Sequence, residues 1–187
     1  MAYVSGTANN LTALRNAIIA ACTANGWTLT GAVLSKGTSF VTLTVSGNFL
    51  DLLGGTGQSS GALTGGAPSA ARIGTLTAGM QALVWPLGYE VHVFADPDEV
   101  FVVLNYATSY YQWLACGKSS VSLPGTGLWF SGSIQGSTAS VVSVGVSAYT
   151  VGFGQRRSGI AVCPALWHAD TYFYPAGPVG EHINHGL

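Results

Sequence analysis

The sequence predicts an α+β fold in which one N-terminal helix packs on an antiparallel sheet or a partly open β-barrel. Four apolar residues recur at the three- and four-residue spacing of a single helical face: Leu11, Leu14, Ile18 and Cys22. After residue 26 the pattern changes to short runs of alternating apolar and polar residues, separated by turns rich in Gly, Pro and Asp. The predicted architecture also includes a long Gly-rich loop and an extended C-terminal arm.

The predicted helix has recognisable ends. Three residues can cap its N-terminus through a side-chain oxygen: Thr7, Asn9 or Asn10. Gly26 stands where a left-handed residue ends many helices, and a strand-like region begins directly after it. In that region, residues 27–46, apolar residues at 41, 43 and 45 alternate with Thr and Ser, and Lys36-Gly37 predicts a turn between two strands. One face of the second strand is therefore expected to be apolar and the other polar.

Residues 54–71 contain six glycines among Ser and Thr, a composition typical of flexible segments. We expect a long mobile loop here, or a segment that orders only against a neighbour. The composition does not change across this segment and no internal repeat follows it. Residues 1–154 are therefore predicted to form a single α+β structural domain, with residues 155–187 as an extended C-terminal arm.

The clearest hairpin is predicted for residues 89–95 and 99–106, which are rich in aromatic and β-branched residues. Asp96-Pro97-Asp98 between them predicts a type I turn, because Pro supplies the fixed φ that this turn needs. The second strand carries apolar residues on both faces: Val100, Val102 and Leu104 on one, Phe101 and Val103 on the other. A strand of this kind is expected to be central in its sheet, or covered on its outer side.

Further strands are predicted at 110–116, 128–135 and 140–154, and from residue 155 the periodicity is lost. The segment 110–116 is expected to end at Gly117-Lys118-Ser119. Aromatic side chains in the arm need a surface against which to bury. Together with residues of the two-faced strands they form the candidate assembly interface: Phe101, Val103, Trp113, Trp129, Trp167, Tyr172, Phe173 and Tyr174.

The small number of charged residues excludes some classes of binding partner and favours others. The 187 residues include 6 Lys or Arg and 7 Asp or Glu, for a net charge of -1. Six cations cannot build the phosphate-neutralising surface of a nucleic-acid binder. No apolar run reaches the ~18 to 20 residues that a membrane-spanning helix needs, and no signal-peptide pattern is present, so we expect no membrane partner. Because charge normally keeps proteins apart, this composition predicts a homo-oligomer that hides much of its surface.

Two short motifs match enzyme signatures in part. GQSSG at 57–61 has the spacing of a serine-hydrolase elbow centred on Ser59, but no apolar strand precedes it. Gly117-Lys118-Ser119 resembles the end of a phosphate-binding loop, although the first glycine of that loop would fall at Gln112. We therefore predict no catalytic residues, no cofactor and no enzyme activity.

Metal-ligating side chains are also sparse. Glu181, His182 and His185 form a Glu-His-x-x-His cluster, and whether it holds a metal is left open. Three carboxylates crowd one turn, at Asp96, Asp98 and Glu99, without the spacing of a calcium loop. Three cysteines without CxxC spacing are predicted to be buried small apolar residues: Cys22, Cys116 and Cys163. His92 lies next to Glu90 on a predicted strand and is predicted to be a cross-strand polar partner. No metal site is predicted.

Several segments resemble a family of tailed-bacteriophage virion structural proteins. The resemblance lies in YEVHVF (89–94), DPDEV (96–100), YQWLACGK (111–118) and PGTGLWF (124–130), preceded by an Ala- and Leu-rich helix that ends in NGW (25–27) and by LGGTG (53–57). It covers most of residues 1–150 and implies a non-enzymatic component of the virion, in the tail or baseplate region. No catalytic residue is carried over from the family.

The leading functional hypothesis is a subunit that assembles into a symmetric ring or sleeve of a phage tail or baseplate. It would contact copies of itself and other virion proteins, after synthesis in the host cytoplasm. One alternative is a head decoration or capsid-associated protein. Another is a glycan or cell-surface binding module, in which four aromatic side chains would stack on sugar: Trp85, Trp113, Trp129 and Tyr110. A third is a hydrolase centred on Ser59.

Overall fold

The computed structural model describes residues 1–67, 70–74, 83–107, 110–118, 126–133, 158–163, 166–167, 171–173 and 183–184. Within them lie one helix and sixteen strands. In chain order these are β1 (Ala2–Ala8), α1 (Leu11–Thr23), β2 (Thr28–Thr30), β3 (Val33–Lys36), β4 (Ser39–Ser46), β5 (Phe49–Gly55), β6 (Gly57–Ser59), β7 (Ala62–Thr64), β8 (Ala71–Gly74), β9 (Leu87–Ala95), β10 (Asp98–Ala107), β11 (Tyr110–Lys118), β12 (Leu128–Ser133), β13 (Ser158–Cys163), β14 (Leu166–Trp167), β15 (Thr171–Phe173) and β16 (Ile183–Asn184).

The strands form antiparallel sheets, as predicted. The main sheet has the order β1-β9-β10-β11-β12-β13-β15-β16, with β14 paired to β13, and the second sheet has the order β2-β3-β4-β5-β8. One continuous core includes buried side chains of α1 and of both sheets. The predicted helix on an antiparallel sheet is thus confirmed. In the described part of the chain, the strands form separate sheets rather than one closed barrel.

Helix α1 has the predicted boundaries. The Asn10 side chain caps its N-terminus by accepting a hydrogen bond from the Ala13 N–H at 2.7 Å. Gly26 adopts a φ of +87°, which lets the Trp27 N–H reach back to the Cys22 carbonyl at 3.1 Å. The apolar stripe is buried, and it packs between the two sheets. The predicted turn after Lys36 is also confirmed, since β3 ends there and β4 begins two residues beyond Gly37.

Strand β1 is a strand that the sequence pattern does not predict. It pairs antiparallel with β9 along its whole length, from Ala2 opposite Val93 to Ala8 opposite Leu87. Most of its residues are exposed, and Gly6 lowers its intrinsic strand preference. The pairing with β9 across a long sequence separation, rather than local pattern, makes this segment a strand.

The predicted Gly-rich loop contains strands. Residues 57–59 and 62–64 form the β6–β7 hairpin, so the loop interpretation is wrong for them, while mobility of the segment stays a prediction. Several of its glycines allow close backbone approach. A Cβ on Gly61 would lie 2.9 Å from the Gly31 Cα, and the Ala32 N–H donates to the Gly61 carbonyl at 3.0 Å. Here glycine permits tight packing instead of supplying flexibility.

The predicted hairpin is formed by β9 and β10, and β10 is central because β9 and β11 pair with its two edges. Its turn differs from the prediction: the Asp96–Pro97 peptide bond is cis, and a cis proline at this position belongs to a type VI turn rather than type I. Strand β11 also extends through Gly117 and Lys118, where the sequence predicts that it ends. Residues 140–154 lie outside the described residues, and the division into domain and arm at residue 155 stays a prediction.

Candidate functional site

The main sheet has an outer face that turns away from the core and carries aromatic side chains. Alternation along β10 directs Val100, Val102 and Leu104 into the core, where they are buried. Phe101 and Val103 therefore point to the opposite side. We call the group of half-buried apolar residues on that side the aromatic face: Phe94, Phe101, Val103, Trp113 and Trp129.

Strand register brings these residues together from four adjacent strands. Val103 on β10 pairs with Trp113 on β11, and Gly117 on β11 pairs with Trp129 on β12. The Phe94 and Phe101 rings lie edge to face, with centroids 5.8 Å apart, and the Phe101 and Trp129 rings lie 5.9 Å apart. Ring pairs at these separations attract beyond their simple burial. The face is therefore an ordered aromatic surface rather than a scatter of exposed side chains.

Four of the residues predicted as assembly interface belong to this face: Phe101, Val103, Trp113 and Trp129. The side chains of Trp167, Tyr172 and Phe173, and all of Tyr174, lie outside the described residues, so their predicted role stays a prediction. Phe94 was missed, although alternation from His92 on the same strand was a signal that could have found it. Of the predicted glycan-stacking residues, Trp113 and Trp129 share the face, whereas Trp85 packs partly buried against the core.

A polar row continues the face toward the edge of the sheet. His92 and Glu90 lie two residues apart on β9, with Nε2 and Oε2 separated by 3.4 Å. The cross-strand neighbours of His92 are Tyr3 on β1 and Phe101 on β10. The Tyr3 and His92 rings lie 5.0 Å apart, so the row joins edge strand β1 to the aromatic face.

Glu99 is the carboxylate placed beside the aromatic rings. It pairs with Phe94 on β9 and Gly117 on β11, and its side chain leans over Gly117, where a Cβ would lie 2.5 Å from the Glu99 Cγ. Partial burial raises the pKa of this carboxyl above its ordinary value, because desolvation disfavours the charged form. Glu99 is thus held on the face at some cost to stability when ionised.

Replacing this residue, Glu99→Gln, is expected to raise the free energy of unfolding at pH 7. Since the folded-state pKa is raised, the folded protein binds the proton more tightly than the unfolded chain does. The carboxyl therefore lowers stability as pH rises from the unfolded value of 4.5 through the folded value. Urea unfolding of both proteins measures this gain, which should shrink as pH falls and vanish below 4.5.

Glu90→Gln is the matched control for this measurement, because Glu90 is an exposed glutamate on the same sheet face. We expect a smaller change for it at pH 7. An equal gain in both variants would show that burial of Glu99 is not its cause.

The other sequence motifs lie away from this face. GQSSG bridges β6 and β7, and the Gln58 side chain accepts a hydrogen bond from the Gly61 N–H at 3.0 Å. Ser59 thus lies in a hairpin, and not at the strand-to-helix turn of a hydrolase elbow. In the acidic turn, Asp98 pairs with Lys36 at 2.8 Å, which links β10 to the end of β3 in the second sheet.

Potential metal ligands are not grouped in the described part of the chain, where no three His, Cys, Asp or Glu side chains come together. His182 and His185 lie outside it. Cys22 and Cys116 are free and buried, as predicted, and burial raises the pKa of the Cys22 thiol to about 12. Both are thus unreactive packing residues, and the side chain of Cys163 lies outside the described residues.

Comparisons with other proteins name no family. No protein-family model matches this chain, and a search of curated proteins finds none similar to it in sequence. Among the residues that the structure describes, α1 has 13 residues, and no helix there combines the length and apolar character needed to cross a bilayer.

Proposed function

We propose that this chain is a non-enzymatic structural subunit of a phage virion, which assembles with copies of itself through its aromatic face. In this proposal the subunits build a symmetric ring or sleeve in the tail or baseplate, in contact with neighbouring virion proteins. The observation that carries the proposal is the aromatic face itself, where Phe101 contacts both Phe94 and Trp129. The tail or baseplate location rests on the family resemblance of the sequence.

The residue types on the face favour association. Trp and Phe are enriched at protein interfaces, and a few well-packed aromatic residues supply most of the binding energy there. The sheet presents them at fixed positions, so little side-chain freedom has to be lost on binding. Among the described residues, Glu99 is the carboxylate beside the rings, so the contact with a second copy has to leave this side chain at its solvent-exposed rim to avoid burying a charge.

The low overall charge supports the same proposal. A chain with 13 acidic and basic residues in 187 has little electrostatic repulsion to keep copies apart. Obligate interfaces resemble a protein core divided in two and are depleted of charge. A head decoration or capsid-associated subunit would use the face in the same way, so the location in the virion is a separate question from the mode of assembly.

The double variant Phe101→Thr/Trp129→Thr is expected to weaken assembly at least about tenfold, because each truncation of a central aromatic typically costs more than about 1 kcal/mol of binding. Threonine keeps strand preference, so the fold is retained. Light scattering after size-exclusion chromatography and negative-stain images measure the assembly, and circular dichroism checks the fold.

Leu29→Thr/Val84→Thr is the matched control, because these apolar side chains are 42% and 71% exposed and lie off the aromatic face. This variant should assemble like the unaltered protein. The proposal fails if the unaltered chain is a monomer at micromolar concentration, or if both double variants assemble equally well.

A further inference from the structure

We propose that a groove at the β1 end of the main sheet binds a neutral oligosaccharide. The groove has a volume of about 400 Å³. We call it the Gly88 groove, after the residue at its floor, and the side chains that carry the argument are Tyr3, Ser5, Glu90, Asn105 and Tyr111. This binding function is additional to assembly through the aromatic face.

The groove exists because one side chain is missing from the sheet surface. Gly88 pairs with Thr7 on β1 and with Asn105 on β10, so it lies between two residues that do carry side chains. A Cβ built on Gly88 would meet no atom within 4 Å. Its φ lies outside the left-handed region, and thus neither packing nor backbone conformation requires glycine at this position. Glycine here keeps the space open.

Two tyrosines flank this floor from opposite sides. Tyr3 on β1 is 52% exposed and Tyr111 on β11 is 51% exposed, although rings of this size are usually more buried. Contact with the His92 ring at 5.0 Å holds Tyr3 in place. Tyr3 and Tyr111 are three strand spacings apart across the sheet, about 14 Å, and they are also offset by about 13 Å along the strands, because Tyr3 pairs with His92 whereas Tyr111 lies in the row of Gly88, four residues away on β9. That span exceeds a single sugar ring and suits an oligosaccharide whose C–H faces stack on both tyrosines.

Polar groups between the tyrosines match the hydroxyls of a sugar. The exposed Glu90 carboxylate accepts hydrogen bonds, the exposed Asn105 amide both donates and accepts, and the Ser5 hydroxyl does the same. Aromatic walls with a few converging polar groups are typical of small-molecule sites. Each of these groups is solvent-exposed at present, so a ligand can reach all of them.

Charge narrows the class of ligand. None of the described residues that line the groove is Lys or Arg, and Glu90 is its carboxylate. A phosphate, a sulfate or an acidic sugar would therefore face a negative charge without a cationic partner. The geometry accordingly favours neutral sugars over anionic ligands.

The groove and the aromatic face occupy different parts of the sheet surface. The Phe94, Phe101 and Trp129 contacts lie toward the β9–β10 turn, whereas Gly88 and Asn105 lie near the opposite ends of these two strands. Val103 is the residue common to both. Ligand binding and assembly can thus be altered by separate substitutions.

The test screens the full-length protein on a microarray of neutral oligosaccharides built from glucose, galactose and N-acetylglucosamine, with sialylated oligosaccharides beside them. Saturation-transfer NMR then measures the affinity of the best neutral oligosaccharide. Gly88→Phe fills the groove and should weaken binding at least about tenfold, while Tyr3→Ser and Tyr111→Ser each remove one stacking platform and should weaken it by about fivefold to tenfold. Asn105→Ala, at an exposed position, gives a further variant that keeps the fold.

Ser46→Phe is the matched control, because it adds the same ring at an exposed strand position in the second sheet. It should bind like the unaltered protein. Absence of binding to every neutral oligosaccharide overturns the proposal, as does equal binding by Gly88→Phe or a preference for sialylated oligosaccharides. Light scattering separates the two functions, since Gly88→Phe should lose sugar binding but keep the oligomeric state, and Phe101→Thr/Trp129→Thr should do the reverse.

Discussion

Replacing Gln112 by leucine is expected to lower the free energy of unfolding by about 3 kcal/mol, because it leaves two buried backbone groups without a hydrogen-bond partner. Gln112 is 1% exposed and lies on the core side of β11, opposite Leu104. Its side-chain Oε1 accepts a hydrogen bond from the Gly74 N–H at 2.8 Å, and its Nε2 donates to the Gly74 carbonyl at 3.0 Å. The Gln112 side-chain amide thus makes the two hydrogen bonds to the Gly74 backbone, at the end of β8, that a neighbouring strand would otherwise make.

This pair of hydrogen bonds joins the two sheets, since β11 belongs to the main sheet and β8 is an edge of the second. A larger residue at position 74 could not compensate for the loss of the Gln112 hydrogen bonds, because there is no space for its side chain. A Cβ there would overlap the Asn48 carbonyl oxygen, and the φ of +146° is one that residues with a side chain rarely adopt. Gly74 therefore depends on Gln112 for its polar partners.

Urea denaturation of Gln112→Leu measures the expected loss, which corresponds to a fall in Tm of about 6 to 12 °C for a domain of this size. Gln58→Leu is the control, because Gln58 also bonds to a backbone N–H, that of Gly61, but lies exposed on the β6–β7 hairpin. The free energy of unfolding of Gln58→Leu should fall by less than about 1 kcal/mol, because water replaces the lost hydrogen-bond partner. Equal losses in the two variants would refute the role assigned to Gln112.

Phe130→Ala is expected to cost about 3 to 5 kcal/mol, the usual range for removing a fully buried ring. Phe130 on β12 is 0% exposed and fills the space between the sheets opposite Gly54 on β5. A Cβ on Gly54 would lie 2.7 Å from the Phe130 ring and 2.9 Å from the Leu128 side chain. The two sheets therefore approach closely here because one side is glycine and the other is a large ring.

The reciprocal change, Gly54→Ala, should cost about 1 to 3 kcal/mol by overpacking, and less when Phe130→Leu makes room for the new methyl. Urea unfolding of the two single variants and the double variant measures this coupling. Gly88→Ala is the control, since a Cβ at Gly88 meets nothing within 4 Å, and it should leave stability unchanged or slightly raised. Strict additivity of Gly54→Ala and Phe130→Leu would contradict the proposed contact.

The local sequence pattern was sufficient to predict the structure where the environment of a residue is set by its neighbours in sequence. An N-cap among Thr7, Asn9 and Asn10, the left-handed Gly26 and the turn after Lys36 were all predictable, because caps and turns are satisfied within a few residues. The two apolar faces of β10 were also readable, and they correctly indicated a central strand. The same alternation placed Phe101 and Val103 on one face of β10, but it did not show what contacts that face.

The sequence pattern was insufficient to predict the structure around residues whose contact partners come from distant parts of the chain. The local sequence around Gln112 gives no sign of its hydrogen bonds and shows only that glycine is absent where a phosphate loop would need it. Its partner Gly74 is 38 residues away. The glycines of 54–71 indicated flexibility by composition, yet Gly54 is required by the ring of Phe130. The Gly88 groove could not be predicted either, since its floor is on β9 and its walls are on β1 and β11.

The sequence by itself determined the strand-rich α+β class, the helix with its ends, and which residues of β10 form the core and which form the opposite face. These follow from periodicities of a few residues, which the backbone geometry of helix and strand imposes locally. Only the tertiary structure decided that β1 is a strand, that two sheets enclose the core, and that Tyr3, Gly88 and Tyr111 share one groove. Strand order and register decide these features, because a pairing between distant segments selects which side chains become neighbours.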